Sequence, residues 1–222
     1  MARRRKPKAS RLTDALLLLA LVAAIGLAFA PKSDIQEFLQ SRTGPRRAST
    51  PLEAPTTVMA GDLRICSFNI RIFSNKSRDD NELNYITKLL EPCDITAIQE
   101  LRDETVLRRT VDLLTRAGYP AAYDISESVG RGVKERYAFL YRTDRVRQTS
   151  PGQLYPDQQD EFIREPYFAS FAAGQFDFTL LTIHVLYGKN KNERRPELEA
   201  LAKVYEYAQT ADPGEQDIIL LG

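Results

Sequence analysis

Asp94-Ile95-Thr96-Ala97-Ile98-Gln99-Glu100-Leu101-Arg102 is the stretch on which the rest of the chain is organised. Ile95, Ala97 and Ile98 read as a short buried strand that runs directly into Gln99, Glu100 and Arg102. A carboxylate at the end of a buried strand is held on a rigid element, which suits a site that must fix a cation. An arginine two residues on presents a planar fork of donors that matches phosphate oxygens. A lone Glu and Arg also mark any place where a strand surfaces into a loop, so the neighbouring segments decide between the two readings.

Upstream, residues 63–71 alternate as a strand that ends in Asn69 and Arg71. Between Asp80 and Glu91, the apolar residues Leu83, Ile86, Leu89 and Leu90 recur at helical spacing until Pro92 stops the helix. Downstream, a second helix over 104–117 buries Val106, Leu107, Val111 and Leu114, and Gly118 ends it. Strand, helix, strand, helix is the opening of an α/β layered domain. The second half reads as strands at 122–126, 137–141, 145–148, 168–172 and 176–185, the last two joined through Gly174. A helix over 196–209 is expected to turn Leu198, Leu201 and Tyr205 inward, and residues 218–221 form a closing strand. A buried strand at the very end of the sequence reads as the edge of an N-terminal fragment.

Charge and address are separable from this domain. Residues 1–30 hold six basic residues (Arg3, Arg4, Arg5, Lys6, Lys8, Arg11) and one acid, Asp14. Of the chain's 31 basic and 30 acidic residues, 25 and 29 remain for the rest, a net of −4. Bulk charge therefore excludes a polycation, and any phosphate binding must come from a local cluster or a metal. Behind the basic cluster, the uninterrupted apolar run 15–30 reads as an uncleaved membrane anchor, with a cleaved signal as the alternative. Either way the basic flank stays in the cytoplasm and the following chain is exported. Three segments result: residues 1–32 as basic flank and anchor, 33–61 as a Pro/Ser/Thr-rich linker, and 62–222 as the globular domain. Cys66 and Cys93 lack metal-type spacing and read as buried free thiols. In an oxidising compartment they would pair if their strands are neighbours.

Four strand ends carry the polar groups: Asn69 with Arg71, Glu100 with Arg102, His184, and the end at Gly222. His184 is the chain's one histidine and terminates the apolar strand 178–183. A lone histidine is more often structural than catalytic, but one placed among polar strand ends is a candidate for proton transfer.

Five blocks stand in order: Ser-Phe-Asn-Ile-Arg (67–71), Ile-Gln-Glu-Leu-Arg-Asp (98–103), Gly-Arg-Gly-Val-Lys-Glu-Arg-Tyr (130–137), Arg-Glu-Pro (164–166) and Thr-Ile-His (182–184). Together they resemble the endonuclease/exonuclease/phosphatase superfamily, and within it the deoxyribonuclease I branch. The resemblance implies an α/β sandwich of two packed mixed β-sheets flanked by helices, with its C-terminal part missing here. It also implies a divalent-metal-dependent phosphodiesterase, an exported or membrane-anchored endonuclease that hydrolyses DNA as a monomer. Mg2+ or Mn2+ is the implied cofactor, with Ca2+ as a structural ion. By the same resemblance Glu100 falls on the metal-binding glutamate, and Asn69 on the asparagine that helps hold metal and scissile phosphate. His184 falls on a catalytic histidine and Glu135 on the carboxylate that orients it, while Arg71, Arg102 and Arg164 match nucleic-acid-contacting arginines.

Two departures stand out. Val133 replaces an aromatic residue that packs into the minor groove, and the family's Asp-x-Asn block would come directly after Leu221-Gly222. Residues 62–222 alone are accordingly expected to fold poorly and to be inactive. Two other readings compete: a sphingomyelinase- or inositol-phosphatase-like hydrolase of the same superfamily, and an inactive binding module if the chain truly ends at Gly222.

Overall fold

The computed structural model describes residues 62–222; the basic flank, the apolar run and the linker lie outside the described residues. Eleven elements follow in order. Strand β1 (Ile65–Phe73), helix α1 (Asp80–Leu90), strand β2 (Ile95–Leu101) and helix α2 (Glu104–Arg116) form the first half. Strands β3 (Ala121–Ile125), β4 (Arg136–Arg142), β5 (Arg147–Leu154), β6 (Tyr167–Ala173) and β7 (Phe176–Thr182) precede helix α3 (Lys191–Ala211) and strand β8 (Ile218–Leu221). They build two four-stranded sheets, ordered β1-β2-β4-β3 and β5-β6-β7-β8. Each sheet is mixed: β1 and β2 run parallel, as do β7 and β8, and the other pairs are antiparallel.

Alternation along the strands explains the layers. Ile95 and Ala97 of β2 and Tyr137, Phe139 and Tyr141 of β4 point to the second sheet, where they meet Tyr167, Ala169 and Phe171 of β6 and Phe178 and Leu180 of β7. The opposite faces carry Ile98, Ala138 and Leu140, which pack under α1 and α2. On the far side Phe168 and Leu181 pack under α3. The result is helix, sheet, sheet, helix.

Helix α1 starts at a capping box: the Asp79 side chain accepts from the Glu82 N–H, and the Glu82 carboxylate accepts from the Asp79 N–H. It buries Leu83, Ile86 and Leu90, but Leu89 lies on the solvent face. Asp103 caps α2, and Gly118 follows with φ 86°, a left-handed turn that favours glycine.

Three sequence expectations need correction. Cys66 and Cys93 form a disulfide, with Cα atoms 6.1 Å apart, because the parallel pairing of β1 with β2 (Ile65 opposite Ile95) sets them side by side. Helix α3 presents Ala200, Val204 and Ala208 to the sheet and leaves Leu198 and Tyr205 exposed, so its buried face is rotated from the expected one; only Leu201 packs partly inward as read. The rotation has a cause in Glu197, which is buried and accepts the backbone N–H groups of Ile163 and Leu186. Strand β5 runs on to Leu154, past Pro151 and Gly152, which hid it. Proline is tolerated because β5 is an edge strand, and Gly152 because a Cβ there would strike the Tyr167 hydroxyl and Asp124. Among the described residues no helix is long and apolar enough to cross a membrane.

Candidate active site

The ends of β1 and β2 are both distorted. Their register shifts between Asn69 and Phe73, and the β2–β4 register shifts between Ile98 and Leu101. Within these bulges Ile72 and Glu100 adopt positive φ, 51° and 60°. For a β-branched isoleucine that is a sparsely populated conformation, costing on the order of 1–3 kcal/mol. What the distortion achieves is local: it re-aims the Glu100 side chain along the sheet edge. Its Oε1 accepts from Asn69 Nδ2 at 3.2 Å and its Oε2 from the Ile72 N–H at 3.0 Å.

His184 sits two residues beyond β7 and reaches the same edge from the second sheet. Its backbone N–H donates to the buried Tyr137 hydroxyl at 3.0 Å, which fixes where the ring starts. Burial holds the Tyr137 proton on, raising its pKa well above the usual phenol value. The ring Nδ1 lies 2.7 Å from Glu135 Oε2, and Nε2 lies 3.8 Å from Glu100 Oε1. Glu135, just ahead of β4, is only 3% exposed. Arg164 Nη2 stands 3.0 Å and Arg102 Nη2 3.5 Å from its Oε1. Burial alone would push this carboxyl up; the hydrogen bond with His184 and the Arg164 and Arg102 charges outweigh it, so the pKa falls below its ordinary 4.5. Arg102 also approaches Glu100 Oε2 at 3.8 Å and donates to the Lys134 carbonyl. The Nε atoms of Arg102 and Arg164 are buried without partners among the described residues.

Asn69, Glu100, His184, Glu135, Arg102 and Arg164 are thus linked in one cluster of hydrogen bonds and ion pairs. Arg71 does not join them: it is exposed and lines an adjoining groove of about 350 Å³ with Asn69, Arg78 and Tyr85. Val133 is 69% exposed on its loop.

Sequence reasoning assigned no role to Gln99, which is 1% exposed and spans the two sheets. Its Nε2 donates to Thr182 Oγ1 of β7 at 2.9 Å and lies 3.2 Å from Ser67 Oγ of β1. Tyr137 and the Ile72 backbone were likewise unassigned. A polar Gln at the end of an apolar strand was the available signal for the first.

Oxygen donors from Glu100 and Asn69 fit a hard divalent cation in kind. Among the described residues no group of three His, Cys, Asp or Glu stands ready to hold a metal.

No protein-family model matches the chain. It is 34% identical over 166 residues to deoxyribonuclease-1-like 1 of Sus scrofa, covering 72% of this chain and 51% of that protein. It is 31% identical over 157 residues to deoxyribonuclease gamma of Homo sapiens, covering 64% and 50%. The chain spans about half the length of these curated relatives. A structure titled ANGEL2, a 2′,3′-cyclic phosphatase, superposes with a TM-score of 0.51 at 11% identity, over 71% of this chain and 51% of that one, which speaks to the fold. The two-sheet sandwich and these relatives place the chain in one class. It resembles the endonuclease/exonuclease/phosphatase superfamily and, within it, deoxyribonuclease I.

Proposed function

We propose that the protein is an exported, divalent-metal-dependent endonuclease that hydrolyses phosphodiester bonds of DNA. The observation that carries this reading is the junction of the two sheets: Glu100, Asn69 and Glu135 on the first, and His184 from the second, with Nε2 3.8 Å from Glu100 and Nδ1 2.7 Å from Glu135. Glu100 and Asn69 would hold the cation, which when bound neutralises the charge of the phosphodiester and of its transition state.

The chain's own residues supply the rest. Nδ1–H of His184 donates to Glu135, which leaves Nε2 directed at the substrate side. A proton on Nε2 is positioned for the leaving oxygen, and the ionised Glu135 balances the charge the ring then carries. Arg102 and Arg164 keep Glu135 ionised, and a guanidinium fork is the kind of group that suits the non-bridging oxygens of a phosphate. The open groove along Arg71 gives the flanking backbone a cationic wall.

Export is supported by the Cys66–Cys93 disulfide, since such bonds persist in oxidising compartments. The basic flank and apolar run at the N-terminus supply the matching address. The deciding experiment is plasmid nicking by the whole protein with magnesium or manganese, repeated in chelator. Nicking that chelator abolishes is expected. Turnover of sphingomyelin or inositol phosphates without any DNA cleavage would overturn the substrate assignment.

A further inference from the structure

The turn that follows His184 carries an aromatic residue that the site itself does not use. Tyr187 is 85% exposed. Single exposed tyrosines are ordinary, but this one is strapped in place. Arg194 Nη1 donates to the Tyr187 carbonyl at 2.8 Å, and the same guanidinium lies 5.8 Å from the ring centroid. The turn beneath is pinned at two further points: the Leu186 N–H to buried Glu197 at 2.7 Å, and the Lys189 N–H to Glu193 Oε2 at 2.9 Å. Gly188 sits between them with φ 59°, where a Cβ would meet Glu193 at 2.9 Å. The ring is therefore presented to solvent by a built turn.

Charge accumulates at the same place. Residues 189–195 hold Lys189, Lys191, Arg194 and Arg195 against the single acid Glu193, which is occupied by the Lys189 backbone. Arg195 has Glu199 at 3.7 Å, whereas the ammonium groups of Lys189 and Lys191 make no ion pair among the described residues. This contrasts with the net acidic remainder of the chain. Distance adds the final constraint. Three residues of fully extended chain span at most about 11 Å, so Tyr187 lies within one or two nucleotides of a phosphate at His184.

We propose that the 185–190 turn and the head of α3 form a shelf for an unpaired stretch of nucleic acid strand leading away from the scissile phosphate. One base stacks on Tyr187, and the flanking phosphates lie over Lys189 and Lys191. The choice of an unpaired strand follows from geometry. Within a duplex both faces of every base are covered by neighbours, so an exposed ring backed by arginine serves a base that has left the stack. This rests on the nuclease reading above and extends it to strand preference.

The test is binding of labelled short oligothymidylate, and of a duplex of equal length, to the 222-residue chain in chelator, so that no cleavage intervenes. Tyr187→Ala is expected to weaken oligothymidylate binding about tenfold, the usual scale for loss of one stacked base, with duplex binding unchanged. Tyr187→Phe keeps the ring and is expected to bind as the parent does, which also controls for folding. Three results overturn the shelf. In the first, Tyr187→Ala binds oligothymidylate normally; in the second, it loses both substrates equally. In the third, Tyr187→Ala loses binding to phosphatidylserine vesicles while its binding to DNA is unaffected, which would make the turn a membrane contact. Plasmid nicking by the whole protein separates the two ideas. Nicking with an indifferent Tyr187 removes the shelf alone, strand binding without nicking removes the nuclease reading alone, and neither binding nor nicking removes both.

Discussion

Breaking the Cys66–Cys93 bond offers a quantitative check on how the first sheet is held. The bond joins the start of β1 to the residues just before β2 and closes a loop of 27 residues that contains the whole of α1. In the chain-entropy account, cross-linking a loop of that length removes about 3.5 kcal/mol of disorder from the unfolded state at room temperature. Total stabilities of natural domains are about 5–15 kcal/mol, so this one bond is a large fraction. For a domain of this size the loss corresponds to roughly 7–14 °C in Tm. The assay is a thermal melt followed by circular dichroism on three samples: oxidised protein, reduced protein, and the Cys66→Ala/Cys93→Ala variant. Reduced protein and variant are expected to melt together, well below the oxidised form, and reductant should not move the variant further. Thiol titration of the oxidised protein should find none, since the chain has two cysteines and both are bonded. A variant that melts within a degree or two of the oxidised protein would refute the loop-closure reasoning.

The remaining expectations concern the site. In the whole protein Glu100→Ala should abolish metal-dependent nicking and His184→Ala should slow it on the order of 100-fold or more; nicking at the parental rate by either variant would remove its residue from the chemistry. Arg102→Ala should weaken DNA binding and reduce the slope of log affinity against log salt by about one, as read in a titration across ionic strengths. The Glu135 pKa is depressed in the folded state, so its ionised form contributes stability that is complete above its ordinary 4.5 and is lost as pH falls through the lower folded value. Urea midpoints of the parent should accordingly drop more steeply below pH 4.5 than those of Glu135→Gln, and parallel curves would contradict this. Gln99→Leu should lower the nicking rate more than it lowers Tm, because its amide ties the two strands that carry Glu100 and His184.

Much of this was visible in the sequence for physical reasons. The apolar run Ile95–Ile98 admits no solvent face, so β2 had to be central, and polar residues directly behind it had to surface at a sheet edge. The same logic exposed Asn69 and His184 at their strand ends. What escaped depends on long-range geometry. The disulfide follows from the parallel register of β1 and β2, which spacing in the sequence does not reveal. The bulges at Ile72 and Glu100 run against local preference, because isoleucine disfavours positive φ. Helix α3 misled because a buried Glu197 and a row of alanines define its inner face, while the larger Leu198 and Tyr205 stay in water.

The Gln99 bridge makes the site a measure of how the two sheets sit on one another. Glu100, Asn69 and Glu135 move with the first sheet and His184 with the second, so a slip between layers separates the groups without disturbing either ladder. Chemistry here would then be more fragile than shape: mild denaturant should silence the protein while its far-ultraviolet spectrum is still native. A trimmed side chain such as Phe171, fully buried between the sheets, would then alter the proposed chemistry through the seating of one layer on the other.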